Sequence, residues 1–335
     1  MPGLRAGHDR PVSHDGRFAP SPTGPLHLGS LRTALLAWLC ARSAGARFRV
    51  RIEDIDPQRS RPELVEGQLD ALRELGIDWD GPVVRQSERL TLYDEALARL
   101  AGSGVLYPCF CTRAEIRAAA SAPHGETAAD GGSLDEGSSA GAASGGAGEG
   151  GAGAVDAYPG TCRALSAAAR AARIAAGDQH ALRFDARRVR VDWSDRLLGD
   201  QSGIVDDFVV RRTDGVVAYQ LAVVVDDAAQ GVGEVVRGAD LAASTPRQIA
   251  LQRALGLPGV AYVHAGLVIG PDGARLAKRH GPGSVRAGDA GATLRLLGAS
   301  LGIDGAGTAN AAADLLTGFD LARVPIGPVR LTATG

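Results

Sequence analysis

A chain of 335 residues, 45% of them hydrophobic, can bury a sizeable core and has room for about two domains. Charged residues make up 22% and the formal net charge is -2, which excludes a global basic field and leaves any RNA contact to a local patch. No apolar run is long enough to span a bilayer; with four cysteines (Cys40, Cys109, Cys111, Cys162) and no secretory pattern, the expectation is a cytoplasmic protein with no membrane association.

In chain order, residues 1–16 carry no periodicity and are expected to be a disordered leader. From Arg17 onward, short apolar runs alternate with helical patterns, the signal of an α/β fold around a doubly wound parallel sheet. A strand is expected at Phe18-Ala19, followed by the turn Pro20-Ser21-Pro22-Thr23-Gly24-Pro25. A helix is predicted over Leu28–Ala44, a strand over Phe48–Ile52, and helices over Pro62–Leu75 and Arg89–Leu100. Residues 17–105 then form one βαβ half.

Residues 118–157 are almost wholly Ala, Gly, Ser and acidic residues, too poor in apolar bulk to fold, so a disordered loop is predicted inside an inserted segment, 106–194. That segment resumes with a helix from Ser166 and strands near Leu182–Phe184 and Val189–Val191. Phe208–Arg211, the turn Thr213-Asp214-Gly215 and Val216–Tyr219 read as a hairpin. At Thr245-Pro246-Arg247-Gln248 a helix start is predicted, with Thr245 as cap and Gln248 completing a capping box. The second α/β half spans 195–285. Residues 286–335 hold one helix, Ala292–Leu301, and a short tail.

Three constellations can carry chemistry. The string from Arg17 through His27-Leu28-Gly29-Ser30 places a strand end, a Gly/Pro turn and a helix N-terminus in succession. Free N–H groups there favour an anion, Gly29 permits close backbone approach, and the His27 imidazole can donate to a phosphoryl oxygen. Taken alone, the string is equally a helix start with a satisfied histidine. The second string, Gly266 to His280, contains Arg275, Ala277, Lys278 and Arg279. Lys278 is the sole lysine in a chain whose other basic side chains are Arg, and a compact ammonium suits a leaving pyrophosphate. Alone, it reads as a solvated basic loop. The third, Cys109-Phe110-Cys111 with Tyr158-Pro-Gly-Thr-Cys162, brings three thiols to a potential tetrahedral zinc site; the plainer reading is three small buried residues.

Together, the first two strings resemble the HIGH and KMSKS motifs of class I aminoacyl-tRNA synthetases. The blocks RFAPSPTGPLHLGSL, RIEDID, YQLAVVVDD, VVRGADL with STPRQ, and GPDGARLAKRHG are similar, in order, to the glutamyl branch. The resemblance implies a Rossmann-like catalytic domain with an inserted zinc-binding module. It also implies L-glutamate held by Arg17, Ser21, Glu53, Tyr219 and Arg237, and ATP with Mg²⁺ held by His27, Gly29, Ser30, Arg275, Lys278 and Arg279. His27 and Lys278 would be catalytic. Zinc would sit on Cys109, Cys111, Cys162 and Tyr158, with His124 as the alternative fourth ligand. Ser30 stands where HIGH has its second histidine and Ala277 where KMSKS has serine, the latter change bearing on rate. Because so few residues follow the basic loop, the chain is similar to stand-alone catalytic-core paralogues without an anticodon-binding domain. These activate glutamate without tRNA and transfer it to queuosine at the wobble position of the tRNA(Asp) anticodon stem-loop, with no obligate protein partner. Two other readings stay open: a truncated glutamyl-tRNA synthetase charging tRNA(Glu), and a non-catalytic nucleotide- or RNA-binding module.

Overall fold

The computed structural model describes residues 13–112, 114–116, 158–270 and 290–331. The first parallel ladder, in the order β1-β2-β3, consists of β1 (Gly16–Phe18), β2 (Phe48–Ile52) and β3 (Val84–Arg85). Helix α1 (Leu28–Ser43) crosses from β1 to β2 and is buried from Arg32 through Ala41 except at Thr33, because it is covered on more than one side. Its end is set by Gly45, which takes φ 65° and donates its N–H to Arg42 O at 3.0 Å, a conformation glycine adopts without strain. Helices α2 (Val65–Glu74), entered through a short 3-10 turn at Pro62–Leu64, and α3 (Leu90–Gly102) complete this half.

The second ladder runs β7-β6-β10-β9, with β6 (Val189–Asp195), β7 (Gly199–Val205), β9 (Glu234–Gly238) and β10 (Ala261–Ala265). Strands β9 and β10 pair in parallel, β10 meets β6 in parallel at Tyr262 and Asp195, and β7 returns antiparallel to β6. The Asp15 carbonyl accepts the N–H groups of Gly233 and Glu234 at 2.9 and 3.1 Å, which brings the β9 edge beside β1. An antiparallel ladder of β4 (Leu106–Cys109), β5 (Ala181–Phe184) and β8 (Phe208–Arg211) carries the cysteine cluster. Helix α4 (Ala167–Ala175), capped by Ser166 Oγ, follows that cluster in the chain. Helices α5 (Tyr219–Ala229) and α6 (Thr245–Leu255) cover the second half. No helix among the described residues is long and apolar enough to cross a membrane.

Several expectations need correction. Order begins before residue 17: Gly16 already belongs to β1, and Asp15 is buried, its carboxylate accepting from Arg47 N and Nε at 3.1 and 2.8 Å. The boundary at 194/195 cuts through β6, which runs on to Asp195 because its end pairs with β10 at Tyr262. The hairpin of Val216–Tyr219 shrinks to one bridge between Arg211 and Val217, since Tyr219 opens α5. Thr245 is not a side-chain cap: Ser244 occupies the cap position with no side-chain bond, and the Thr245 hydroxyl and Gln248 amide turn inward instead. The loop 118–157 and the string 271–289 lie outside the described residues.

The C-terminal segment is packed as core. Helix α7 (Ala290–Ser300) buries Leu294 and Leu297 against the same cluster as Leu31, Leu35 and Phe48, and β12 (Val329–Arg330) pairs in parallel with β11 (Val268–Ile269). Arg32, 1% exposed, joins these parts: Nη1 donates to Gly266 O at 2.9 Å, Nε to Ser300 Oγ at 3.0 Å and Nη2 to Ser300 O at 3.1 Å. With neutral acceptors only, burial lowers its guanidinium to about 10.

Candidate active site

The strand ends of both ladders deliver the charged residues. Arg17 leaves the middle of β1 and is 4% exposed; Nε donates to Asp227 Oδ1 at 3.3 Å and Nη1 to Val236 O at 3.3 Å. Arg51 of β2 is wholly buried, because both faces of this strand are covered. Its Nη1 donates to Asp227 Oδ1 and Gln230 Oε1, both at 2.8 Å, and its Nη2 to Glu53 Oε1 at 3.3 Å. Asp227, near the end of α5, therefore compensates two arginines. Burial alone would raise its carboxyl, but Arg17 and Arg51 hold it below the usual range.

Glu53 follows β2, its N–H bonded to Pro20 O at 2.9 Å, and its side chain is 10% exposed. Burial raises its carboxyl above the ordinary value, with Arg51 and Arg17 opposing and Asp227 reinforcing. A carboxylate left in this state favours an incoming cation. Tyr219, the first residue of α5, is raised by burial and then by Glu53, while Arg237 and Arg17 oppose, so these four groups share one electrostatic space.

Arg237 of β9 is 4% exposed and donates from Nε to His264 Nε2 at 3.0 Å, from Nη1 to Gln248 Oε1 at 2.7 Å and from Nη2 to Thr245 Oγ1 at 2.8 Å. Its guanidinium lies over the Tyr262 ring at 5.3 Å. Among the described residues no carboxylate pairs with it, unlike Arg17 and Arg51. A buried cation oriented by neutral groups is suited to an anion from outside.

His27 is the N-cap of α1. Its Nδ1 accepts from Ser30 N at 3.1 Å, and its Nε2 lies 3.2 Å from Ser30 Oγ. Gly29 makes this possible: a Cβ there would stand 3.1 Å from the imidazole Cε1 and Nδ1. The glycine thus makes room for the histidine as well as for an approaching ligand. Ser21 is exposed on the turn that precedes α1, where its carbonyl accepts from Gln68 Nε2 at 3.2 Å. Arg275, Lys278, Arg279 and His124 lie outside the described residues.

The thiols of Cys109, Cys111 and Cys162 lie within 4.8 Å of one another, with Cys111 Sγ to Cys162 Sγ at 3.4 Å. The Tyr158 hydroxyl is 3.4 Å from Cys109 Sγ and 3.8 Å from Cys111 Sγ, and accepts from Cys162 N at 2.9 Å. Three convergent sulfurs, with a phenol beside them, form a group able to hold a metal ion. Burial alone would raise Cys109, but Tyr158, Arg183 and the Cys111 N–H hold it below the ordinary thiol value.

The motif reading did not single out Arg51, Asp226, Asp227, Asp195 or His264. The signal was present: adjacent aspartates inside the apolar run YQLAVVVDD, and a lone histidine inside the strand AYVHA, must find partners when buried.

The sequence profile of tRNA synthetases class I (E and Q), catalytic domain, matches residues 15–293. A glutamyl-Q tRNA(Asp) synthetase of Nocardia farcinica is 50% identical over 325 residues, covering 96% of this chain and 94% of that protein. The protein of that name in Symbiobacterium thermophilum is 49% identical, covering 95% and 96%. Among solved structures, a glutamate tRNA ligase from Elizabethkingia meningosepticum in complex with its amino acid superposes with a TM-score of 0.75 at 26% identity, covering 96% of this chain and 67% of that one. The chain belongs to the glutamyl-Q tRNA(Asp) synthetase family, within the class I tRNA synthetases for E and Q.

Proposed function

We propose that this chain activates L-glutamate with ATP, without tRNA, and transfers the glutamyl group to the queuosine base at the wobble position of tRNA(Asp). One observation carries the glutamate reading: Arg237, buried and without a carboxylate partner among the described residues, shares a space with Glu53, whose carboxyl burial raises even with Arg51 donating to it at 3.3 Å. A dicarboxylic amino acid supplies an anion for Arg237 and a further cation for Glu53. Its ammonium would pair with Glu53, and its carboxylates would meet Arg17 and Arg237, with Tyr219 and Ser21 adding polar contacts. The names and near-complete coverage of the relatives support the acceptor.

In this reading, the α-carboxylate of glutamate attacks the α-phosphorus of ATP in line; the bond to the bridging oxygen breaks and pyrophosphate leaves. A hydroxyl of the modified base then attacks the acyl carbon and AMP departs, with no covalent enzyme intermediate. His27, Gly29 and Ser30 at the start of α1 would receive the phosphates, and Lys278 with Arg275 and Arg279 would offset charge on the leaving group. Mg²⁺ accompanies ATP as a phosphate counterion. Zinc held by Cys109, Cys111, Cys162 and Tyr158 would pin the base of the inserted module and take no part in the reaction.

Glutamate-dependent ATP–pyrophosphate exchange without tRNA, with aspartate and glutamine as controls, tests the first step; glutamylation of queuosine-containing tRNA(Asp) tests the second. Exchange that requires tRNA(Glu) would point to a truncated glutamyl-tRNA synthetase, and no exchange under any condition to a binding module.

A further inference from the structure

Asp195, at the end of β6, and His264, on β10, have no side-chain exposure. Asp195 Oδ1 accepts the N–H groups of Leu197 and Leu198, each at 2.9 Å, which leaves Oδ2 to face His264 Nδ1 at 2.5 Å. A carboxylate oxygen has no proton to give, so Nδ1 carries the hydrogen. The other ring nitrogen, Nε2, then has its lone pair directed at Arg237 Nε, which is always a donor. The tautomer is fixed from both sides.

The choice of an imidazole matters electrostatically. A carboxylate in its place would orient Arg237 equally well but cancel its charge, as Asp227 does for Arg17. His264, Gln248 and Thr245 instead occupy Nε, Nη1 and Nη2 with neutral acceptors. Asp195, the carboxylate of this hydrogen-bonded relay, is kept a full ring away from the guanidinium.

We propose that Asp195 and His264 are positioning residues that hold Arg237 in one orientation with its positive charge uncompensated, so that it selects a carboxylate over a carboxamide on the amino-acid substrate. This rests on the glutamate reading above. Asp195→Asn is the sharpest perturbation. The two backbone N–H groups keep the amide oxygen on their side, so the amide NH₂ faces Nδ1, and the proton moves to Nε2 against Arg237. Exchange kinetics should then show the KM for glutamate raised about 10- to 100-fold, the worth of one hydrogen bond to a charged group, with kcat and the KM for ATP little changed. The preference for glutamate over glutamine should fall with it. His264→Ala should do the same. His264→Gln should recover much of the loss, since its amide offers an oxygen to Arg237 and an NH₂ to Asp195.

Thermal unfolding checks that each variant folds, and if His264→Ala does not fold, Asp195→Asn decides. A fall in kcat at unchanged glutamate KM, equal rises for glutamate and ATP, or His264→Gln as poor as His264→Ala would overturn the positioning role alone. Wild-type protein that exchanges with no amino acid would overturn the glutamate reading, and this role with it.

Discussion

Asp226→Ala should be among the most destabilising single substitutions in this chain. The carboxylate is wholly buried on α5, where it accepts from Gln86 Nε2 and the Tyr93 hydroxyl at 2.8 Å and from Arg89 Nε at 2.6 Å, with Arg51 Nε at 3.7 Å. The three donors and the Arg51 guanidinium come from the first half of the sheet domain and the carboxylate from the second, so one side chain cross-links them. Arg89 retains 19% exposure and can rehydrate, and Arg51 keeps Asp227 and Glu53. The charge term therefore falls at or below the ~3–5 kcal/mol of a broken buried pair. Gln86 and Tyr93 lose their acceptor at a cost of ~1–3 kcal/mol each, and the terms overlap because the donors share one partner. The expected net loss is about 4 kcal/mol, measured as a shift in urea midpoint at unchanged slope. Asp226→Asn, which keeps an acceptor but not the charge, should fall between wild type and alanine. A loss below about 1 kcal/mol for alanine, or equal losses for both variants, would refute the cross-link.

Three further outcomes are expected. Burial, and then Arg237, hold His264 below its ordinary 6.5 despite Asp195, so the unfolded chain takes up that proton first; stability is full above about pH 6.5 and declines as pH falls below it. Glu53, raised by burial, gives the opposite slope above 4.5, so the measurement is the difference in urea midpoint between wild type and His264→Gln across this range, and a flat difference would contradict the buried neutral imidazole. Lys278→Ala should slow adenylate formation by ~10²-fold or more, as removal of a transition-state charge contact does, and an unchanged rate would mean the basic string has been misread. Cys162→Ala should abolish the zinc expected at one ion per chain in protein purified without chelator, and wild-type protein free of zinc would remove the metal from the account.

The α/β alternation, α1, β2 and α3 were legible because each combines a clear apolar period with a marked stop, such as Gly45 after α1. Strand β7 was not. Its sequence, GDQSGIV, offers little apolar alternation, and it exists because β6 supplies a paired edge from Val189 to Asp195. Tyr219 fits a strand by pattern, since the aromatic ends an apolar run, whereas the following Gln-Leu-Ala carries it into a helix. Thr245 and Gln248 have the composition of a capping box, yet a buried guanidinium competes for both side chains, and the charged donor wins over a backbone N–H. Arg51 alternates like an outward residue in FRVRI and lies buried because three carboxylates converge on it. Pattern shows where polar residues fall. Which partner each takes depends on contacts distant in sequence, 210 positions between Arg17 and Asp227 and 268 between Arg32 and Ser300.

Arg32 has a consequence for how the molecule opens. By holding Gly266 and Ser300 at once, and with β12 zipped to β11, it makes the C-terminal helix and strand part of the same hydrogen-exchange unit as α1. Amides of α7 cannot be exposed by peeling off a terminal segment alone, because that would strand a buried guanidinium. They should exchange through the opening that releases α1, so that the two described stems of the basic string, ending at Gly270 and beginning at Ala290, stay fixed together for as long as the catalytic sheet stays folded.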